Sequence, residues 1–239
     1  IEINQETGLV SGNFLLHDNI KNYSTKYYQL FDYIKNIVKN KEGKILIFHQ
    51  YVTNSGVLLL AEFLKTNGIL SDQDNEPVSN TLCSICFEKL NKHTDQHKFK
   101  PLRFAIAYGD ISKKQIDESI SNFNLESNKD GETLKILIGS RFIKEGFDLK
   151  AIRHLFIMHM PDNISTLLQI FGRAIRKNSH ISLPINQRTV KIYILVSSLP
   201  NELNDYSFEE LLYKKKLEIH EQIQIIENII HKNAIDNYI

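Results

Sequence analysis

Gln169-Ile170-Phe171-Gly172-Arg173-Ala174-Ile175-Arg176 is the stretch on which the fold turns. It lies near the end of a helical pattern, Ser165 to Lys177, that begins after Pro161 and Asn163. Gln169 and Arg173 are four apart and Arg173 and Arg176 three apart, a spacing that places all three on one helix face with neighbouring Cβ atoms ~5–6 Å apart. Leu167, Leu168, Phe171 and Ile175 are expected on the other face. Two guanidiniums aimed together suit fixed positive charge against phosphate oxygens, because the planar fork is always charged and bonds oxygens in pairs. Gly172 removes a side chain beside Arg173, at a helix cost of ~1 kcal/mol relative to alanine, and so leaves room for a ligand or a facing domain.

Outward from this helix, strand and helix patterns alternate. Lys44 to Phe48, Leu102 to Ala107, Leu134 to Ile138, Leu155 to Met158 and Val190 to Val196 are short apolar runs bounded by polar residues, as buried strands are. Tyr23 to Asn40, Ser55 to Asn67 and Lys113 to Phe123 repeat their apolar residues at spacings of three and four, as core-facing helices do. The alternation predicts an α/β fold with a parallel sheet covered by helices on both faces, and places ligands beyond the carboxyl ends of the strands. The expected organisation is a lead-in and first helix over 1–43, a lobe over 44–200 with an insertion at 71–101, and a helical extension over 201–239, with a long amphipathic helix from Phe208 to His231.

Gln169-x-x-Gly172-Arg173-x-x-Arg176 resembles motif VI of superfamily 2 helicases. Ile138-Gly139-Ser140, followed by Glu145-Gly146-Phe147-Asp148, resembles motif V. Lys44 to His49 resembles the motif IV strand, and Tyr108-Gly109-Asp110-Ile111-Ser112, with Gln115 and Phe123, resembles the loop and helix that grip a nucleic-acid backbone. The four elements fall in the family's order over roughly 44–196. The resemblance implies a RecA-like C-terminal motor lobe. In it Arg173 and Arg176, with Gln169, reach the phosphates of ATP held with Mg2+ by an upstream P-loop lobe, and Gly146, Asp148 and Gly172 lie near the nucleotide. It also implies that Gly109, Ser140, Arg141 and neighbouring main-chain amides contact DNA or RNA phosphates, which fixes position without reading sequence.

Lys144 to Asp148, Gln169 to His180 and Leu183-Pro184 are similar to the helicase-like transcription proteins of large DNA viruses of the poxvirus and giant-virus type. Lys216, Ile223-Gln224, Ile226-Glu227 and Ala234-Ile235-Asp236 resemble the ending of that group's early transcription factor small subunit and its relatives. That likeness implies RNA polymerase or transcription factor subunits as partners, and the host cytoplasm, virus factory or virion as the setting. An alternative stays open, in which the lobe serves as a docking module for transcription machinery through the insertion and the last helix.

No Gly-x-x-x-x-Gly-Lys-Ser/Thr occurs, so nothing in the chain cradles β and γ phosphates in the P-loop manner. The chain alone is expected to be silent in ATP hydrolysis, and its initial Ile points to a fragment. Cys83-Ser-Ile-Cys86 is followed by His93 and His97, two thiols and two imidazoles whose closing His-x3-His spacing fits Zn2+. Free thiols beside solvated histidines are the bland alternative.

The bulk numbers exclude more than they assign. With 239 residues, 42% apolar and 24% charged, the chain buries a core. Lysine and arginine total 29 against 28 acidic residues, so net charge is silent on nucleic acid. No apolar stretch approaches the ~20 residues that span a bilayer, and the expectation is an intracellular protein without a membrane partner. His49, His159 and His180 are read as structural, and Lys214 to Lys216 as a solvated face.

Overall fold

The computed structural model describes residues 2–3, 9–74, 76–94, 96–141, 147–203 and 205–233. A short antiparallel pair, β1 (Glu2–Ile3) and β2 (Val10–Ser11), precedes one turn of helix, α1 (His17–Ile20), and the long α2 (Thr25–Lys39). Then follow β3 (Lys44–Phe48), α3 (Val57–Thr66), β4 (Leu70–Ser71), β5 (Arg103–Ala107), α4 (Lys113–Asn124) and β6 (Ile136–Gly139). The chain continues through β7 (Ile152–Ile157), α5 (Ile164–Ala174), β8 (Lys191–Ile194) and α6 (Phe208–Asn233). Three helices start where a polar side chain takes up a free backbone N–H: Ser24 accepts from Tyr27, Ser112 from Gln115 and Asn163 from Thr166.

The sheet runs β4-β5-β6-β3-β7-β8, and each neighbouring pair is parallel. Every residue of the central β3 is buried, which is why its sequence is apolar without alternation. Its side chains still divide by period two. Ile45 and Ile47 join Phe104, Ile136, Ile138 and Phe156 beneath α2 and α3. Leu46 and Phe48 join Ala105, Leu137, Leu155 and Ile157 beneath α4 and α5. Helices therefore cover both faces, and the expected α/β architecture is the one observed.

Among its described residues the segment 71–101 has no core cluster of its own and leans on the lobe. Leu82 and Phe87 are buried in the core beneath α2 and α3, where Phe87 meets the Phe31 ring at 5.6 Å. Leu82 is stitched between the Gly68 carbonyl, at 2.8 Å, and the Leu102 N–H, at 2.7 Å. Gly68 adopts φ +85°, and a Cβ there would lie 2.2 Å from the Asn80 carbonyl oxygen, so only glycine lets the two backbones pass.

α6 is anchored at its start. Glu209 pairs with Lys26 and accepts from the Ser197 N–H at 2.7 Å. Lys216, read in the sequence as part of a solvated lysine face, is instead buried, and its ammonium donates to the Asp162 carbonyl. The far half of α6 turns outward, with Ile225, Ile226, Ile229 and Ile230 exposed. The tail motif Ala234-Ile235-Asp236 lies outside the described residues. Among the described residues no helix is long and apolar enough to cross a membrane.

At the opposite edge of the core, Lys44 is fully buried. Its Nζ donates to the Phe123 carbonyl at 2.7 Å and lies 4.3 Å from the centre of that ring. Burial pushes its pKa down to about 7, with Asp130 opposing and Lys150 reinforcing the shift. Lys135, buried nearby, is pushed to about 8 by the same cause. A lysine depressed in the folded state binds more protons when unfolded, so stability rises with pH between the folded value near 7 and the unfolded value of 10.5. Urea denaturation across that window is expected to show a rise bounded by ~1.4 kcal/mol per pH unit for each such group, and Lys44→Met flattens part of it. A wild-type profile without that rise contradicts the assignment.

Candidate functional site

α5 leaves the carboxyl end of β7 and runs back along the sheet, so its last turn meets the loop that feeds β7 from the other end. The contacts show this directly. Ala151, at φ +56°, donates its N–H to the Ser179 carbonyl at 2.8 Å, and His180 Nε2 lies 2.6 Å from the Ile152 carbonyl. Asn124, at the end of α4, closes the same loop. Its amide donates to the Asp148 carbonyl at 2.6 Å, and its carbonyl accepts from the Lys150 N–H at 2.8 Å.

On this braced platform Arg176 Nη1 pairs with Asp148 Oδ1, and Arg173 Nη1 lies 3.4 Å from the Phe147 carbonyl. Gln169, Gly172, Arg173 and Arg176 line one shallow recess. The helix ends at Ala174, with Ile175 as its cap, so Gln169 and Arg173 share a helical face whereas Arg176 reaches the recess from just beyond the helix. The opposite face also differs from expectation. Thr166, Leu167, Ile170 and Ala174 are buried, whereas Leu168 and Ile175 are about half exposed, because the inward stripe follows spacings of three and four from Leu167. A Cβ on Gly172 would meet nothing within 4 Å; its small size is therefore not required by packing within the chain. Gly146, expected beside Asp148, lies outside the described residues, as do Lys144 and Glu145.

Gly109, Ser140 and Arg141 cluster elsewhere, beyond the carboxyl ends of β5 and β6. One strand length, roughly 15–20 Å, separates the two ends of the sheet. The expectation that all ligand residues sit at the carboxyl ends is thus corrected for the arginine set, because a helix returning antiparallel to its strand delivers its last turn to the other end. Gly109, too, would have nothing within 4 Å of an added Cβ, and its φ is not positive. Ser140 is buried, with its N–H donating to the Ala107 carbonyl at 3.2 Å. Gly109 and Arg141 are exposed, and the Arg141 Nη2 bonds Asp162 Oδ2 at 2.7 Å.

Two residues here escaped the sequence reading. Gln50 lies two residues beyond β3, is buried, and donates from Nε2 to the same Asp162 oxygen at 2.6 Å. Its Oε1 has no partner within the described residues. The available signal was its place, an amide two residues past the end of a fully buried strand. His49 and His159 pack beside it, ring centres 6.1 Å apart, and Tyr51 lies 4.8 Å from His159. Burial pushes His49 down to about 4 and lowers His159, so both imidazoles are neutral at pH 7. They supply bulk and hydrogen bonds there.

The fourth set is also assembled. One donor atom from each of Cys83, Cys86, His93 and His97 lies within 4.8 Å of the others.

A six-stranded parallel sheet with two helices on each face defines the class of RecA-like α/β lobes. Within that class the chain belongs to the helicase conserved C-terminal domain family, whose profile matches residues 28–178. It is 42% identical over 236 residues to an early transcription factor large subunit homolog of African swine fever virus, covering 96% of this chain and 21% of that protein. It is 30% identical over 257 residues to a putative ATP-dependent RNA helicase of Acanthamoeba polyphaga mimivirus, covering 98% of this chain and 22% of that protein. The chain thus spans about a fifth of the length of these relatives. The first relative carries the name of the large subunit, where the tail pattern had resembled the small one. The crystal structure of the C-terminal part of the Fun30 ATPase domain superposes with a TM-score of 0.50 at 16% identity, over 87% of this chain and 57% of that one, a likeness of fold.

Proposed function

We propose that this chain is the C-terminal motor lobe of a nucleic-acid-dependent ATPase. In the complete protein, Arg173 and Arg176 close on the phosphates of ATP, whose Mg2+ and β and γ oxygens are held mainly by a P-loop lobe. The observation that carries this reading is the convergence of Gln169, Gly172, Arg173 and Arg176 on one recess beside Asp148. Two guanidiniums at a helix end, held against a braced loop, bring fixed charge to a phosphoryl group without reorganisation, which is how positioned cations lower the barrier of phosphoryl transfer. Gly172, open to solvent, lets the facing lobe approach.

The nucleic-acid track is assigned to the other end, along Gly109, Ser140 and Arg141, so that one lobe holds fuel and track at opposite ends of a rigid sheet. The relatives' names, a viral early transcription factor and a putative RNA helicase, favour viral transcription in an infected cell as the setting, with RNA polymerase or transcription factor subunits as partners. In the complete protein, Arg141→Ala is expected to weaken single-stranded nucleic-acid binding to a similar degree across sequences. It should also reduce the slope of log affinity against log salt by about 0.7, the signature of one lost phosphate contact on a single strand. An unchanged slope and affinity remove Arg141 from the track.

A further inference from the structure

We infer that Cys83, Cys86, His93 and His97 bind one structural Zn2+ ion, and that this ion fastens the segment 71–101 to the edge of the sheet. The four donor atoms lie within 4.8 Å of one another, with Cys83 Sγ 3.4 Å from His97 Nε2 and the two Nε2 atoms of His93 and His97 3.0 Å apart. A tetrahedral ion with bonds of ~2.0–2.3 Å needs its donors separated by roughly 3.3–3.8 Å, so the side chains require shifts of only a fraction of an ångström to about one ångström. Two thiolates cancel the charge of the ion, which makes a neutral centre beside the fully buried Cys83.

The backbone is shaped for the same end. Phe87, the residue after Cys86, sits at φ +66°, a conformation that a bulky side chain adopts only when its surroundings impose it. The turn lets the Phe87 N–H return to the Cys83 carbonyl at 3.0 Å and directs the Glu88 N–H to the Cys86 sulfur. The His93 ring is held edge-on against Phe99 at 5.3 Å. Around the cluster the described residues between 72 and 100 form turns rather than strands or α-helices: isolated bridges join Leu82 to Lys89 and Cys83 to Pro101, a 3-10 turn spans Leu90–Lys92, and Ser84 reaches the Glu132 carbonyl at 2.6 Å. A segment with so little core is the kind that a metal stabilises. The cluster is on the β4–β5 edge, separate from the Arg173 and Arg176 recess, so its role is to hold structure.

Mixed thiolate and imidazole ligands at tetrahedral spacing select zinc over the hard oxygen-loving cations. The test is metal analysis of the full chain purified without added metal, combined with thiol titration. One equivalent of zinc is expected, with both thiols unreactive until a chelator removes the metal and the melting temperature falls. Cobalt substituted for zinc should give the absorption of a tetrahedral site with two thiolates, and Cys86→Ser should alter that spectrum. Where Cys86→Ser fails to fold, His93→Cys, which preserves four ligands, keeps the metal and shifts the cobalt bands. Metal-free protein with two freely reactive thiols and a melting temperature indifferent to chelator overturns the inference, as does iron in place of zinc.

Discussion

In the complete protein, Arg176→Ala is expected to lower nucleic-acid-stimulated ATP turnover by about 10³- to 10⁵-fold, while ATP binding and the melting temperature stay close to wild type. The separation between these readouts follows from where Arg176 sits. It lies beyond the last helical residue, and its pair with Asp148 is exposed, with 51% and 66% of the two side chains open to water. Such a pair contributes about 0–1 kcal/mol to folding, so its loss leaves the lobe intact. On the proposed reading, the same guanidinium would meet charge that develops only as the phosphoryl group transfers, in a cleft closed by the facing lobe. There its contribution is large. Lysine at 176 restores charge without the two-pronged donor and is expected to recover only part of the rate. Steady-state hydrolysis with and without nucleic acid, alongside a nucleotide titration, measures both quantities. Unchanged turnover removes Arg176 from the reaction.

Phe156→Ala is expected to produce the opposite profile, a loss of about 3–5 kcal/mol of folding stability, with every activity lost together. Phe156 lies in β7 between β3 and β8, fully buried. Its ring stacks on Tyr193 at 4.5 Å and 6° and meets Tyr33 of α2 at 5.6 Å. Truncation opens a cavity walled by two strands and a helix that cannot close without breaking the ladder, which places the cost toward the upper part of the range. The shift in urea midpoint at constant slope is the readout. A variant within about 1 kcal/mol of wild type would show that the core around β7 collapses freely, contrary to its packing.

These two substitutions mark what was legible in the sequence. β3, β5, β6 and β7 were visible because strands buried on both faces read as unbroken apolar runs, and α2 to α5 because their inward residues recur at helical spacing. β4 was not: two residues, Leu70 and Ser71, carry no period and become a strand only because Arg103 and Phe104 lie alongside. The chemistry of the Gln169 to Arg176 stretch was legible because it resides in residue types and spacing. Its address was not. Spacing cannot say at which end of the sheet a helix finishes, and α5 carries its arginines away from the carboxyl ends where ligands were expected. Gln50 and Asp162 were missed because their role lies in meeting one another across 112 residues of chain at Arg141. The far half of α6 was rightly seen as amphipathic, yet its isoleucines face solvent. Helical periodicity identifies an apolar face without supplying its cover.

The central claim is that Arg173 and Arg176 act on the transferring phosphoryl group itself. It is tested most directly by the affinity of the complete protein for ADP with a metal fluoride, a mimic of that group in flight. The double variant Arg173→Ala, Arg176→Ala is predicted to bind ADP as wild type does and to lose the added affinity for the fluoride complex. Equal affinity of variant and wild type for that complex would contradict the account.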